Sequence, residues 1–312
     1  MKILGISAGT KNGRNDAMCK EALRAAKENG AEIEFIRLLD LDIKHCTGCT
    51  ACVKAILGGK GNLCIFKDDF DWFLEKFYEA DGIIFSIPIF EKGTAGIFRT
   101  IMDRFGPRMS RVHNLIADKL YKEGNGKAIN PKFLEEKAVS YMALGGSEWI
   151  TNVESEFSIH ALTIMGKIIN KEVFPWSTGI MVDDNRFAKA NEIGFNMVEA
   201  VKNIEKANYK SDKGVCPNCH SKNFYFPENS GTKAICCQCG IEGNISSSNG
   251  IIKFNYSEEA LGHAHTNLEG QIIHADDIKR NLISLFEDMK TDKYKERMAF
   301  YKDFIKESLP NK

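Results

Sequence analysis

Two runs of this sequence, GIIFSIPIF at 82–90 and KAVSYMALGG at 137–146, are almost wholly apolar, and each is followed by a segment of helical spacing. A strand without a polar face must be covered on both sides, which requires a parallel sheet between two helix layers. The rest of the first two thirds agrees. KILGI at 2–6 reads as a short buried strand, and DAMCKEALRAAKEN at 16–29 as a helix with Met18, Leu23 and Ala26 on one face. AEIEFIRL alternates as a strand, DDFDWFLEKFYEAD opens a helix with carboxylates, and TAGIFRTIMDRF is helical. A helix over 151–168, a strand over 171–176 and a helix over 187–207 complete the alternation. Right-handed crossovers then give an α/β, doubly wound, five-stranded parallel sheet, with the flavodoxin-like strand order 2-1-3-4-5.

Composition excludes several classes. With 42 basic and 42 acidic side chains among 312 residues, no net field favours nucleic acid or an anionic membrane surface. MKILGISAGT is too short an apolar run for a signal peptide, and nothing approaches the roughly 20 apolar residues of a membrane span. Ten cysteines in such a chain argue for metal or redox chemistry in the cytoplasm over a disulfide framework. The composition turns polar near Tyr209. This divides the chain into a sheet domain at 1–208, a small cysteine-rich unit at 209–256 and a helical tail at 257–312.

The cysteines form two clusters. Cys216-x2-Cys219-x16-Cys236-x2-Cys239 has the spacing of a zinc ribbon, in which two CxxC knuckles supply four thiolates to Zn2+. A ribbon this small lacks its own core, so metal binding drives its folding. The other cluster, Cys46, Cys49, Cys52 and Cys64, leaves more open: a [4Fe–4S] cluster, zinc, a labile disulfide or bare thiols. His45 beside it could hydrogen-bond a thiolate or a cofactor. His263, His265 and His274 have no carboxylate or cysteine at ligand spacing, and His113 and His160 have no evident role. The segment between Arg104 and Lys137 is long for a connection, which suits a lid, a dimer arm or a solvated helical excursion.

In a doubly wound sheet, ligands bind beyond the carboxyl ends of the strands. The loop after the first strand offers Ser7, Gly9, Thr10, Lys11 and a helix N-terminus at Asn15–Asp16, the ingredients of an anion site. Its GTKNGRND at 9–16 resembles the GSPRxxGNT of NADPH-dependent FMN reductases and, within them, the iron–sulfur flavoproteins. Asn15 matches the family's Asn, while Asp16 stands where Thr is usual. SIPIFEKGTAGIFRTIMDR at 86–104 is similar to the family's SPVYxGxxxGxLKxxxDR. Pro88, Ile89, Phe90, Gly96, Asp103 and Arg104 are in register, with Ser86 one residue early and Gly93 one late. ALGGSEWI at 143–150 resembles the Gly-rich turn after the fourth strand. The four cysteines of the first cluster and Asp68–Asp69 after them resemble the cluster loop of the iron–sulfur members. The eleven residues between Cys52 and Cys64 exceed the compact spacing of those members.

The resemblance implies an FMN site made by Ser7, Gly9, Thr10, Lys11, Asn15 and Asp16 on the phosphate side. Pro88, Ile89, Phe90 and Gly93 would lie against the ring, with Gly145, Gly146, Ser147 and Trp149 on its pyrimidine side. The expected function is an FMN-dependent NAD(P)H oxidoreductase that passes electrons to a small organic acceptor or a redox protein such as ferredoxin, as a homodimer or homotetramer. Its rivals are an electron carrier with FMN and [4Fe–4S] that turns over no small substrate, and a binding module whose ribbon recruits a partner.

Overall fold

The computed structural model describes residues 1–229 and 231–310. Residue 230 of the expected ribbon and residues 311–312 of the expected tail lie outside the described residues. Six strands form the main sheet: β1 (Lys2–Ser7), β2 (Glu32–Arg37), β3 (Gly82–Phe90), β4 (Gly93–Thr94), β5 (Ala138–Leu144) and β6 (Lys167–Phe174). The order β2-β1-β3-β5-β6 is parallel throughout, and β4 folds back antiparallel on the end of β3. With that hairpin set aside, this is the expected flavodoxin-like order.

The apolar runs work as their composition demands. In β3, Ile83, Phe85, Ile87 and Ile89 face one layer while Ile84 faces the other. In β5, Val139, Tyr141 and Ala143 share the first side, and Ala138, Met142 and Leu144 the second. The first layer holds α3 (Phe70–Glu79), α4 (Gly96–Met109) and α6 (Val153–Thr163). The second holds α1 (Arg14–Glu28) and α7 (Asp184–Lys202). Each fully buried aromatic or large aliphatic side chain here contributes about 1.5–3 kcal/mol of burial.

His160 stands inside an aromatic box of the first layer, with ring centroids 4.8 Å from Phe85, 5.0 Å from Phe105 and 5.4 Å from Tyr141. Its Nε2 meets the Tyr141 hydroxyl at 3.1 Å. Burial pulls its pKa down to about 3, and burial pulls His113 down to about 4. Both rings are therefore neutral in the fold and protonate more readily when it opens. Their stabilising effect is complete above pH 6.5 and is lost as the pH falls toward the folded values. At ~1.4 kcal/mol per pH unit, each costs the fold about 2 kcal/mol by pH 5. The urea midpoint should drop between pH 7 and pH 5, and His113→Phe should remove about half of that drop.

Several boundaries differ from expectation. β6 begins at Lys167, because pairing with Ala138 draws residues into the sheet that the sequence assigns to the preceding helix. It stops at Phe174, before Pro175, which has no N–H to give. The cysteine loop contains an unexpected helix, α2 (Ala51–Leu57), and the long connection after Arg104 contains α5 (Arg111–Lys122) and a 3-10 turn at Pro131–Leu134.

The second unit is a four-stranded antiparallel sheet, β7 (Phe224–Tyr225), β8 (Lys233–Cys236), β9 (Glu242–Ser248) and β10 (Ile251–Asn255), in the order β10-β9-β8-β7. It sits on the β6 edge. The buried Lys171 Nζ donates to the Cys219 carbonyl at 3.3 Å and the His220 carbonyl at 3.1 Å, and Leu162 of α6 joins the ribbon's apolar core. The tail is α8 (Glu258–Gly262), α9 (Leu268–Asp288) and α10 (Asp292–Phe304). The first turns of α9 bury Gln271 and Ala275, whereas α10 buries no residue. Among the described residues, no helix is long and apolar enough to cross a membrane.

Candidate functional site

The parallel strands deliver three loops to one end of the sheet, and these enclose a cleft of about 550 Å³. From the β1 loop come Ala8, Gly9, Thr10, Arg14 and Asn15. From β3 and the start of α4 come Pro88, Ile89, Phe90 and Ala95–Ile97, and from the β5 side Leu144 and Gly146, with Leu39 and Ser177 at the margins.

Asp16 organises the first loop from below. Its carboxylate accepts from the Ser7 hydroxyl at 2.6 Å, the Asn12 N–H at 2.9 Å and Arg37 Nη1 at 3.0 Å. Ser7 and Asp16 are both buried, and neither lines the cleft, so the structure turns these two expected contacts inward as anchors of the loop. The loop closes so tightly that a Cβ on Gly9 would lie 2.5 Å from the Asn15 Cβ. Only glycine fits there. Ser86 donates to Asn15 Oδ1 at 3.1 Å, which leaves the Asn15 Nδ2 donors free. Among the described residues, the N–H groups of Thr10, Lys11 and the first helical residues Arg14–Asp16 also have no acceptor. Free amides at a helix N-terminus are the donors an anion takes.

Pro88, Ile89 and Phe90 present an apolar wall with Phe90 62% exposed, as a flat ring needs on one face. Gly146 also borders the cleft. The remaining expected residues fall outside the lining. Lys11 is exposed, and Gly93 is buried in the hairpin that Glu156 pins by accepting from the Thr94 N–H and hydroxyl at 2.7 and 3.0 Å. Gly145 is tied by backbone bonds to Phe174 and Ser177. The Ser147 hydroxyl accepts the Trp149 N–H at 3.2 Å, and Trp149 stands 62% exposed with Lys92 Nζ 4.8 Å above its ring. Sequence reasoning missed Ala8, Arg14, Leu39, Ala95, Ile97, Leu144 and Ser177. Arg14 lies inside the loop that carries the resemblance, so it was within reach. Ser177 and Leu39 reach the cleft only through the packing of the strands. The donors, the apolar wall and the volume suit a phosphate-bearing planar cofactor.

The ribbon cysteines converge. Cys216, Cys219, Cys236 and Cys239 are buried, with Sγ–Sγ separations of 3.8 Å for Cys216–Cys239 and 3.5 Å for Cys219–Cys236. Thiolates about 2.3 Å from a central ion stand about 3.8 Å apart at tetrahedral angles. The group is therefore sized for a single metal ion. Hydrogen bonding with Cys216 holds Cys219 up and pulls Cys236 down.

Cys46, Cys49, Cys52 and Cys64 do not close up in this way; among the described residues, the ribbon group alone has that compactness. Cys46 and Cys49 are exposed, Cys52 and Cys64 half-buried. Burial pushes the Cys52 thiol up, and Cys46, Cys64 and Cys49 add to the effect. Arg104 of α4 ties this loop down. It donates to Asp68 at 2.6 and 3.1 Å, to the Lys44 carbonyl at 2.8 Å and to Cys64 Sγ at 3.6 Å. His45 turns away to Thr100, with Nδ1 2.8 Å from its hydroxyl.

The comparisons with known proteins agree with this geometry. A family model described as NADPH-dependent FMN reductase matches residues 1–173. An iron–sulfur flavoprotein of Methanocaldococcus jannaschii is 31% identical over 215 residues, covering 66% of this chain and 100% of that protein. One from Archaeoglobus fulgidus is 38% identical over 115 residues, 36% of this chain and 52% of its own length. A solved structure described as a flavone reductase is 48% identical, with a TM-score of 0.89 over 100% of both chains.

Proposed function

The chain belongs to the NADPH-dependent FMN reductase family, and from that premise we propose that it is an FMN-dependent NAD(P)H oxidoreductase whose acceptor is a flat aromatic enone of the flavone type. The observation that carries this reading is the single cleft in which free phosphate-loop amides and an apolar wall meet, in a chain 48% identical over its whole length to a structure described as a flavone reductase. FMN, when bound, supplies two-electron chemistry between the reduced nicotinamide and the acceptor.

The chain's own residues do the rest. Thr10, Arg14 and Asn15 would hold the phosphate end, by free N–H groups and, at Asn15, by Nδ2. Arg14 adds a full charge. Pro88, Ile89 and Phe90 fix the plane of the ring. Phe90, on the cleft wall and about 60% exposed, supplies an apolar face on which a planar acceptor can stack and shed water. In the ribbon, the thiolate set and the tetrahedral spacing support Zn2+ as a structural ion. The cytoplasm suits these ten reduced thiols. A homodimer or homotetramer remains part of the reading, since α10 leaves Phe300, Tyr301 and Phe304 exposed.

The test is an anaerobic assay of the holoprotein with flavone and either NADH or NADPH, followed by mass spectrometry. One dihydro product should form per nicotinamide oxidised. Phe90→Ala should lower kcat/KM for flavone about tenfold with FMN still bound, the loss of about one stacking contact. Arg14→Ala should instead weaken FMN binding about tenfold, the size of one charge-assisted contact. Nicotinamide oxidation without consumption of flavone would refute this acceptor. The four-cysteine loop and the iron–sulfur flavoprotein relatives favour one alternative, an electron carrier with [4Fe–4S] on Cys46, Cys49, Cys52 and Cys64. Slow flavone turnover beside rapid exchange with ferredoxin would select it.

A further inference from the structure

A second cavity, of about 260 Å³, lies where α4, α5, α6, the ribbon and α9 meet, and it shares no lining residue with the cleft. It exists because α4 breaks. Gly106 adopts φ +24° and ψ −137°, and Pro107 after it has no N–H, so the helix turns aside and leaves a gap. Ile159, Leu162 and Ile278 line the gap.

The side-chain amide N–H groups that reach this cavity are committed elsewhere. Gln238 accepts from Lys171 Nζ at 3.4 Å and donates to the Cys219 carbonyl at 3.4 Å. Gln271 donates to the His265 carbonyl at 3.0 Å and to the Leu162 carbonyl. His113 differs. It is 2% exposed, its Nδ1 lies 3.0 Å from the Ser110 hydroxyl, and its Nε2 is buried with no hydrogen-bond partner. Ser110 Oγ accepts the His113 backbone N–H at 3.4 Å and has its own proton to give to Nδ1. Burial keeps the ring neutral, with a pKa of about 4, and a Ser110 hydroxyl that donates to Nδ1 sets the ring's one proton on Nε2. A buried N–H without an acceptor costs about 1–3 kcal/mol. Across the cavity, the His265 and His274 rings lie 4.9 Å apart.

We propose that this cavity is a binding site for a neutral, mostly apolar molecule of about two fused rings that carries one accepting oxygen for the His113 Nε2–H. The size follows from proportion. A dry apolar cavity of about 150 Å³ takes one benzene, and 260 Å³ takes a ring more. Charged ligands are disfavoured, since no Asp, Glu, Lys or Arg lines the cavity. The occupant would touch α5, α6, Gln238 of the ribbon and Ile278 of α9 together, and so fasten the ribbon and tail to the sheet domain. This site does not depend on the flavin chemistry proposed above.

The test titrates the full-length holoprotein with α-tetralone, a two-ring ketone, and with tetralin, the same skeleton without oxygen, by calorimetry. Wild type should bind both saturably. His113→Phe, which keeps the ring volume and removes the donor, should weaken α-tetralone about tenfold and leave tetralin unchanged. Ile159→Trp, at a half-exposed position where folding is little at risk, should abolish both by filling the cavity. Absence of saturable binding at millimolar ligand overturns the proposal. So does α-tetralone binding that survives Ile159→Trp, which would place the ketone in the flavin cleft or elsewhere. A loss in His113→Phe that is equal for ketone and hydrocarbon overturns the role of the donor.

Discussion

Cys219→Ser should empty the four-thiol centre, unfold residues 209–256 and leave the flavin cleft intact. Structural zinc in small peptides is worth about 10–16 kcal/mol of apparent binding free energy, against a total of about 5–15 kcal/mol for a whole domain. The ribbon cannot make up such a loss. Its apolar cluster consists largely of the cysteines themselves with Ala234, Ile241 and Phe254. Lys171 would also lose the Cys219 and His220 carbonyls that now receive its buried ammonium. Metal analysis should fall from about one ion per chain to none, and trypsin should cut within 209–256 while FMN stays bound. An undigested ribbon without metal would show that packing alone holds it.

Asp68→Ala should be the most costly single change in the sheet domain outside the metal site. The side chains of Asp68 and Arg104 are 1% and 2% exposed, and the guanidinium lies 4.6 Å from the Phe70 ring. Truncation would leave that charge buried without its carboxylate, a loss of about 3–5 kcal/mol. It would also free the Lys44 N–H, which now donates to Asp68 at 2.9 Å, and so loosen the approach to the cysteine loop. Burial pushes the Asp68 carboxyl up, but Arg104 and that N–H together hold it below the usual range, so this anchor weakens only in strong acid. The double variant Asp68→Ala/Arg104→Met should recover most of the lost urea midpoint, because removing both charges removes the desolvation as well. Strictly additive losses would show that the pair is not coupled.

How much of this was legible beforehand depends on distance along the chain. The sheet could be read because β3 and β5 are apolar at nearly every position, a pattern that permits few other structures. The ribbon could be read because two CxxC pairs have the spacing of a four-thiolate metal site. The first loop could be read as an anion site, but not which side chains face it. Asp16 looks like a ligand position until Arg37, on the neighbouring strand, claims its carboxylate. The Arg104–Asp68 pair spans 36 positions and follows no periodicity. The His113 cavity needs five separate elements to meet around a broken helix, and nothing local announces it. Helix α2 was hidden by its surroundings, since glycines and cysteines on either side of ACVKAIL read as loop.

The central claim is that the strand-end cleft holds FMN and that the chain works as a flavoprotein. The most direct measurement is the absorption spectrum of protein purified without oxygen, with zinc, iron and acid-labile sulfide assayed on the same sample. The prediction is flavin bands at about one FMN per chain together with about one zinc. About four irons with sulfide in addition would put a cluster on Cys46, Cys49, Cys52 and Cys64 and favour electron transfer to a protein. A chain that retains no flavin even after reconstitution with FMN would contradict the account.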